Sequence, residues 1–587
     1  MKTPPLKTPP LKTLPLKTLR PGHAIVEALR AEGVDVVFGL PGGHVLGIYD
    51  GLYDTPQIRH ILVRHEHTAG AMAAAYAQLT ARPGVCLVTA GPGVTNLLTA
   101  VAEAYVGALP MVILAGRATT TTAHRGASQE VATDKIFAPV TKFAVRADRS
   151  DHLVDLVRRA FAIARAGKPG PVLIDIPRDL FDGEIEVGDY VAPDTRPRVA
   201  GAPELIEQAA RELLNADRPL LVAGGGTVAS GAFAELRELA ELLRAPVLTS
   251  MSGRGSLPDD HVLQAGGLGA HRNDLSKRLL VEADVLLGLG TRFEEMETNW
   301  RPGFVPAQGA RYLQVDLDAA EFGRSIPTHL GIMGDVRTVL QQLLEIARPA
   351  RAGTHVPLTE DPRVREVIEG VARIDAETDE SLKRDETPLS PLRVIRAARA
   401  VFPRQTTVAV DVGCLAEHIA GAFPFFRIFE PRSFISPSSF YGMGFAASAA
   451  PAAKIVYPDR PALCFVGDGS FQMVMPVLPA AAENHLPVTW CVLDDQALGS
   501  IRDLQEYRMK ERYLATEFEF QPDFAKLAQA CGCHGETITD APDIEPALAR
   551  ALAANAQGTP AVLDFKVAPD RMTQSRDHFN LYRPAAS

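Results

Sequence analysis

The chain has 587 residues and a formal net charge of -10 at pH 7; 46% of its residues are apolar and 22% are charged. This length is too great for one hydrophobic core and predicts about three domains. The negative charge offers no basic surface to nucleic acid or an anionic membrane, and no apolar run reaches the roughly 18 residues that a membrane span needs. We therefore expect a cytoplasmic protein that binds neither nucleic acid nor membrane.

The chain begins with a repetitive arm and continues into an α/β pattern. Residues 1–19 repeat Lys, Thr, Pro and Leu with a period of five, which is typical of a disordered or extended segment. Residues 20–190 alternate short apolar strands with helical segments, a pattern that predicts a parallel sheet with helices on both faces. Because such sheets bind ligands at the carboxyl ends of their strands, we expect one site to contain three turns that follow strands. These turns are Pro41-Gly42-Gly43, Arg64-His65-Glu66 and Gly91-Pro92-Gly93.

The remaining segments show two more α/β patterns joined by a charged stretch. Residues 200–350 repeat the alternation, and Gly224-Gly225-Gly226 after the first strand is weak evidence for a dinucleotide site. Residues 351–388 are polar and charged, which predicts a solvated helical connector. Residues 389–567 form the third unit, and residues 568–587 are a tail without a predicted fold.

The most informative motif lies in the third unit, at Gly467-Asp468-Gly469-Ser470. An apolar strand over residues 463–466 ends in this turn, where the glycines let backbone N–H groups approach a phosphate. A second apolar strand ends at Asp494-Asp495, and Asp495 lies 27 positions after Asp468. Neighbouring ends of parallel strands place both carboxylates within reach of one hard cation. The pattern predicts a magnesium diphosphate site.

This pair of motifs resembles the motif of thiamine-diphosphate (ThDP) enzymes, and residues 20 to about 570 resemble the acetolactate synthase-like group. The resemblance implies an α/β protein of three doubly wound parallel-sheet domains: pyrimidine-binding, central and diphosphate-binding. It implies ThDP and Mg²⁺ as cofactors and a small 2-oxo acid or related carbonyl compound as substrate. It also implies a homodimer or homotetramer in which Glu66 faces Asp468 of the partner subunit.

The resemblance assigns the diphosphate and its metal ion to the third domain. Asp468, Asp495 and the backbone carbonyl of Ala497 would ligate Mg²⁺. Met443, 25 residues before Asp468, would hold the cofactor in its bent shape. Acetolactate synthases carry Gly-Gln-His where this chain has Gly413-Cys414-Leu415, so two side-chain donors to the phosphate are missing. The other implied cofactor contacts are Gly442, Gly467, Gly469, Ser470, Leu498 and Gly499.

The resemblance assigns the catalytic residues to the first domain. Glu66 matches the glutamate that activates the aminopyrimidine ring, although a charge at a helix start is its simpler explanation. Gln129 and the N–H of Gly43 would donate to the reacting oxygen. His44 and His67 replace other residue types of the family and could move protons near neutral pH. For His67, a surface or structural role is an equal alternative.

Four positions depart from the acetolactate synthase pattern around the expected substrate pocket. Ser128 replaces an aromatic residue, Met296 the second arginine of an Arg-Phe-Asp-Asp-Arg segment, Leu504 a tryptophan, and Arg178 a lysine. Losing the cation at Met296 predicts weak capture of an acceptor carboxylate. We therefore predict a 2-oxo acid decarboxylase and carboligase with an altered acceptor pocket. The alternatives are a lyase acting on a 2-hydroxyacyl-CoA or a diketone and, less favoured, a non-catalytic homologue.

The central domain raises the question of a second cofactor. Relatives bind FAD partly through the Arg-Phe-Asp-Asp-Arg segment, whereas this chain has Arg292-Phe293-Glu294-Glu295-Met296. Ser276-Lys277-Arg278-Leu279 also departs from an Ala-Asn pair that is common there. FAD is therefore not favoured, and ADP remains an alternative.

Overall fold

The computed structural model describes residues 16–192, 198–269, 273–298, 300, 303–353, 357–382, 386–416, 418–419 and 425–569. These residues form three six-stranded sheets, one in each of three domains, and every strand pair within them is parallel. The predicted fold of three doubly wound α/β domains is confirmed. Residues 1–15 of the predicted arm and 570–587 of the predicted tail lie outside the described residues.

The N-terminal domain contains a sheet of strand order β3-β2-β4-β5-β7-β6. Its strands β1–β8 are Lys17–Leu19, Val36–Leu40, Arg59–Leu62, Gly84–Val88, Met111–Arg117, Phe143–Arg146, Pro171–Pro177 and Ile185–Val187. Its helices α1–α7 are Pro21–Ala31, Leu46–Tyr53, Glu66–Thr80, Pro92–Thr95, Leu98–Val106, Thr133–Phe137 and Leu153–Arg165. Strand β1, the end of the predicted arm, pairs antiparallel with β8.

The central domain has the strand order β11-β10-β9-β12-β13-β14. Its strands β9–β14 are Pro219–Ala223, Val247–Thr249, Gln264–Gly267, Val285–Leu289, Arg311–Asp316 and Leu330–Met333. Its helices α8–α13 are Pro203–Leu214, Gly225–Ser230, Phe233–Leu243, Asp274–Glu282, Glu295–Thr298 and Val336–Ala350.

The predicted connector contains one long helix, α14, at Pro362–Ser381. Val364 and Val367, three residues apart, are fully buried and pack into the cores of the central domain. One face of this charged helix therefore packs against the protein and is not solvated, because an i, i+3 apolar pair is enough to dock it.

The C-terminal domain has the strand order β16-β15-β17-β18-β20-β19. Its strands β15–β20 are Thr407–Val410, Phe434–Ile435, Ala462–Gly467, Val488–Asp494, His534–Ile538 and Ala561–Lys566. Its helices α15–α23 are Pro391–Val401, Cys414–Ala416, Phe445–Ala449, Ala452–Val456, Asp468–Gln472, Val477–Glu483, Gly499–Arg508, Phe524–Ala530 and Ile544–Ala556.

No helix in the described ranges combines the length and the hydropathy that a membrane span requires.

Helix α3 joins the two terminal domains into one core. Its alanine-rich middle, residues 69–77, is buried, and alanine both favours helix and allows other helices to approach closely. Helices α17 and α18 of the C-terminal domain pack against it. Residues of both domains consequently belong to one apolar cluster, so the first residue of α3, Glu66, starts from a rigid base.

Candidate active site

Asp468 lies at the point where β17 ends and α19 begins. Strand β17 is apolar and buried, and its last residue, Gly467, has no atom within 4 Å of the position that a Cβ would occupy. Asp468 is 1% exposed; its Oδ1 accepts the N–H of Gly469 at 2.8 Å, and its Oδ2 accepts from the side chain of Gln521. The turn therefore presents a buried carboxylate beside open space.

Asp495 follows the neighbouring strand, β18, and its charge acts on Asp468. Burial, then the carboxylates of Asp495 and Asp494, raise the pKa of Asp468 to about 8. Asp494 forms an ion pair with Lys566, which supports the assignment of the ligand role to Asp495. Gly499 lies against this carboxylate, because a Cβ there would be 2.7 Å from Asp495 Oδ2.

The carboxylate pair fits a magnesium ion that is also bound to phosphate. Within the described ranges, no group of three or more His, Cys, Asp or Glu residues is arranged to hold a metal ion by itself. Mg²⁺ does not require one, since it is usually held by one or two carboxylates together with phosphate oxygens and water. The mutual repulsion of Asp468 and Asp495 would be relieved by such a cation.

The other predicted diphosphate contacts lie around the same turn. A Cβ at Gly469 would lie 2.8 Å from Leu498, and a Cβ at Gly413, whose φ is +105°, would lie 3.3 Å from the Ser500 hydroxyl. The loop that contains Leu498 is fixed by backbone hydrogen bonds to residues 516–518, and Ala497 pairs there with Glu517. The structure thus brings both glycine turns and the loop after β18 together.

Met443 lies in a loop that reaches the same turn. The following residue, Gly444, has a φ of +79°, and a Cβ there would lie 2.6 Å from Val474 and 3.2 Å from the carbonyl oxygen of Ser470. Ser470 is buried and hydrogen-bonds to the carboxylate of Asp411. This carboxylate also accepts the N–H of Gly444 at 2.9 Å, so Asp411 ties the Met443 loop to the diphosphate turn.

Glu66 is the first residue of α3 and is 6% exposed. The side-chain amide of Asn96 donates to Glu66 Oε2 at 2.9 Å. A Cβ at Gly93 would lie 3.4 Å from Oε1, so the carboxylate faces the Gly91-Pro92-Gly93 turn. Glu66 is also the acidic residue of the first turn of α3, as the alternative of a charge at a helix start predicts, so its catalytic role stays a prediction.

Gln129 and His44 lie at the same edge of the N-terminal sheet. Gln129 is exposed and has a φ of +61°. Its Cβ lies close to the Gly91 turn, since a Cβ built at Gly91 would be 2.8 Å from it. The ring of His44 lies 3.4 Å from the Thr89 hydroxyl, and burial, then the charge of Arg178, lower its pKa. The predicted residue Gly43 precedes His44 and has no atom within 4 Å of its Cβ position.

His67 differs from His44 in its surroundings. Burial, and secondarily the nearby His65, lower the pKa of His67 to about 4. Its ring atom Nε2 is buried and has no hydrogen-bond partner within the described part of the protein. A buried ring with this pKa is a weak base at pH 7, which makes the structural role the simpler explanation for His67.

The predicted substrate-pocket residues are spread over all three domains. Ser128 and Arg178 are exposed in the N-terminal domain, and Arg178 is the residue whose charge acts on His44. Met296 in α12 and Leu504 in α21 are partly exposed. Among the described residues, no hydrogen bond or ion pair joins these four side chains to one another.

Some residues of the site were not recognised in the sequence. Asn96 stands in the Gly91-Pro-Gly-Val-Thr-Asn96 segment, so that motif could have revealed it. Gln521, which also donates to Asp494 at 3.0 Å, lies 53 residues after Asp468 in a segment without a motif. Asp411 follows strand β15 and precedes Gly413, a position that could have drawn attention to it.

A cavity of about 1540 Å³, open solvent included, lies where the three domains meet. Gly225, Gly226 and Arg292 of the central domain line it, together with Lys168 and Tyr441 of the other two domains. Five carboxylates also line it: Glu294, Glu297, Asp316, Glu321 and Asp335. Because Lys168, Arg254, Arg292 and Arg432 line the same cavity, its charge does not decide for or against a nucleotide. The prediction that FAD is not favoured, with ADP as an alternative, stays a prediction.

No hydrogen bond or ion pair in the described part of the chain joins Glu66 to Asp468. The two groups nevertheless stand at the carboxyl ends of equivalent sheets, each held by neighbours that fix its direction. Together they can hold a diphosphate with its cation at one end and a nitrogen heterocycle at the other.

Comparison with known proteins agrees with this geometry. Three family descriptions match: "Thiamine pyrophosphate enzyme, N-terminal TPP binding domain" over residues 20–136, "central domain" over 206–343 and "C-terminal TPP binding domain" over 411–565. The first range contains Glu66, and the last contains Asp468 and Asp495.

Full-length relatives carry acetolactate synthase names. A probable acetolactate synthase large subunit from Methanocaldococcus jannaschii is 33% identical over 564 residues, which cover 94% of this chain and 92% of that protein. The acetolactate synthase of Mycobacterium bovis is 35% identical over 565 residues, covering 93% and 88%. The acetolactate synthase isozyme 3 large subunit of Escherichia coli is 32% identical over 534 residues, covering 90% and 91%. The chain therefore belongs to the thiamine pyrophosphate enzymes and is an acetolactate synthase-like member of that family.

Proposed function

We propose that this protein is a ThDP- and Mg²⁺-dependent enzyme that decarboxylates a 2-oxo acid and joins the remaining acyl unit to a carbonyl acceptor. The observation that carries this proposal is the pair of carboxylates, Asp468 and Asp495, at neighbouring strand ends beside a glycine turn. Their repulsion, visible in the raised pKa of Asp468, is what a shared cation would remove.

Residues of the C-terminal domain would hold the diphosphate end of the cofactor. Asp468, Asp495 and the carbonyl of Ala497 would ligate Mg²⁺, and the glycine turns at Gly413 and Gly467 would let backbone N–H groups approach the phosphates. When bound, ThDP supplies the electron sink that accepts the electron pair left by a departing CO₂. Cys414 in place of a polar residue reduces the side-chain donors to the phosphate.

Residues of the N-terminal domain would hold the pyrimidine end and manage protons. Glu66 would hydrogen-bond to a ring nitrogen, and its poorly solvated position makes that bond strong. Asn96 keeps the carboxylate oriented by its 2.9 Å hydrogen bond. Gln129 and the N–H of Gly43 would donate to the substrate carbonyl oxygen, and His44, with its lowered pKa, would be a neutral ring that can accept a proton.

The pyrimidine and diphosphate halves of one chain would not serve each other. We infer from the resemblance to ThDP enzymes that Glu66 faces the partner's Asp468. The assembly would be a homodimer or homotetramer in which each site uses two subunits.

The acceptor pocket would differ from that of an acetolactate synthase. Met296 supplies no cation for an acceptor carboxylate, and Ser128 and Leu504 are smaller than the aromatic residues they replace. Removing a charged hydrogen bond costs on the order of 1.5–3 kcal/mol, about tenfold or more in acceptor capture. The smaller side chains of Ser128 and Leu504 would also leave room for the substrate of the second candidate function, a lyase on a 2-hydroxyacyl-CoA or a diketone.

The test is turnover of pyruvate and larger 2-oxo acids with ThDP and Mg²⁺ saturating. CO₂ release and ligation product are measured separately, and Asp468→Asn is the matched control. We expect ThDP-dependent CO₂ release with little acetolactate per pyruvate consumed. Efficient acetolactate synthesis at low pyruvate would contradict the altered pocket, and cleavage of an acyl-CoA or diketone without any 2-oxo acid turnover would select the second candidate.

A further inference from the structure

Glu103 of the N-terminal domain holds the loop that leads to Met443. It lies on α5, is 1% exposed, and its Oε2 accepts the N–H of Gly442 at 3.1 Å. Its Oε1 accepts both the N–H and the hydroxyl of Ser438. One carboxylate thus binds three donors of a loop that is more than 300 residues away in sequence.

Asp411 of the C-terminal domain holds the other side of the same loop. It follows β15, is fully buried, and its Oδ1 accepts the N–H of Gly444 at 2.9 Å. Its Oδ2 accepts the N–H of Ala446 at 2.9 Å, at the start of α17. The residue after Met443 is therefore fixed as firmly as the residue before it.

Met443 is the residue between these two fixed amides. A methionine side chain has three rotatable bonds and a polarizable sulfur, so it adapts to many shapes and specifies none by itself. A methionine can hold a ligand in one shape only if the backbone beneath it is rigid. Gly442 and Gly444, bound to Glu103 and Asp411, supply that rigidity from two domains.

Glu103 and Asp411 are both buried, and both accept donors of the loop that contains Met443. Neither has an ion-pair partner in the described part of the chain, and burial raises the pKa of both. Each accepts more than one buried N–H or O–H group, which an apolar side chain cannot do and an amide of the same size can do only in part. Their common feature is that they accept N–H groups on both sides of Met443.

We propose that Glu103 and Asp411 are positioning residues that hold Met443 against the bound cofactor. This inference rests on the proposed function and on the role that the family resemblance implies for Met443, which is to keep ThDP bent. It adds that the N-terminal domain contributes to the cofactor's shape twice: through Glu66 at a partner's site, and through Glu103 at the site of its own chain.

The test uses Glu103→Gln and Asp411→Asn in the full-length protein with ThDP and Mg²⁺. Each change replaces one acceptor oxygen with an NH₂ group, which faces an N–H of the loop and cannot bind it. We expect exchange of the C2 hydrogen of bound ThDP to slow about tenfold or more, and kcat to fall with it. ThDP affinity should change less, because the diphosphate contacts remain.

The matched control is Glu235→Gln, a buried carboxylate of the central domain bound by Arg337 and Gln341. It should lower thermal stability and leave the exchange rate unchanged. Wild-type exchange in folded Glu103→Gln and Asp411→Asn, when Met443→Ala is slow, would overturn the proposal. Wild-type exchange in Met443→Ala would overturn it differently, by removing the role of Met443 on which it rests.

A second variant decides the matter if Glu103→Gln does not fold. Ser438→Ala removes one donor to Glu103 and leaves both carboxylates in place. Slower C2 exchange in this variant, of smaller size than expected for Glu103→Gln, supports the proposal. An unchanged rate in the folded variant contradicts it.

Discussion

The two terminal domains have the same sheet and carry opposite halves of the chemistry. Numbered within each domain, and with β1 and β8 left out, both strand orders read 2-1-3-4-6-5. In each domain the ligand-binding crevice of such a sheet opens between its first and third strands. Those strands are followed by Gly43 and Gly91 in the N-terminal domain, and by Gly413 and Gly467 in the C-terminal domain.

The domains differ in which strand end carries an acid and in what surrounds that acid. The N-terminal domain places Glu66 after its second strand, β3, where Asn96 donates to it, an arrangement suited to a heterocycle. The C-terminal domain places Asp468 after its third strand, β17, where other carboxylates repel it, an arrangement suited to a cation. One fold therefore carries acids at different strand ends, and the neighbours of each acid decide what it binds.

The largest effect is expected for Glu66→Gln in the N-terminal domain. Turnover should fall by about 10²–10⁴, because only proton transfer at the pyrimidine ring depends on this carboxylate. ThDP retention and fold should stay close to wild type, since the diphosphate site is unchanged. Steady-state kcat and C2 hydrogen exchange measure the loss, and wild-type exchange in the variant would end the assignment.

The next effect is expected for Asp468→Asn in the C-terminal domain. The variant should lose about tenfold or more in ThDP and Mg²⁺ affinity, because one anionic ligand of the shared cation is replaced by a neutral amide. Chelation of divalent ions should likewise release ThDP from the wild type. Equilibrium dialysis checks both, with Glu235→Gln, a buried acid of the central domain, as the control that should retain the cofactor. Undiminished retention after complete chelation would contradict the metal site.

The smallest effect concerns His67, which follows Glu66 and whose ring atom Nε2 has no hydrogen-bond partner among the described residues. Its folded-state pKa of about 4 lies below the usual value of 6.5. The unfolded chain therefore binds the proton first, so the stabilisation is present above pH 6.5 and is lost as pH falls toward 4. We expect His67→Gln to remove on the order of 1 kcal/mol of this pH dependence. Denaturant unfolding between these pH values measures it, and an unchanged slope would show that His67 is accessible to protons when folded.

The sequence predicted the fold class and the two motif-bearing turns because both are local. Apolar strands, glycine turns and the spacing from Asp468 to Asp495 are all visible within short windows. The shared strand order of the terminal domains was not visible, because periodicity does not tell which strands are neighbours. The packing of α14 was missed because two valines are enough to dock an otherwise charged helix.

The remaining parts of the site depend on contacts between distant segments. Glu103 meets Gly442 across 339 positions, and Gln521 meets Asp468 across 53. Neither Glu103 nor Gln521 belongs to a recognisable motif, so only the folded chain reveals these two contacts. For His67 the sequence left proton transfer and a structural role open, and the burial of its ring adds weight to the structural role.

The central claim is that each active site combines Glu66 of one subunit with the C-terminal domain of another. The most direct measurement is complementation between two inactive variants, Glu66→Gln and Asp468→Ala, coexpressed with different tags. A mixed dimer, isolated by both tags, contains one intact site if the halves come from different subunits, and we expect about half of the wild-type activity per dimer. Inactive mixed dimers that fold and associate normally would contradict the claim, because a site built within one chain leaves neither subunit whole.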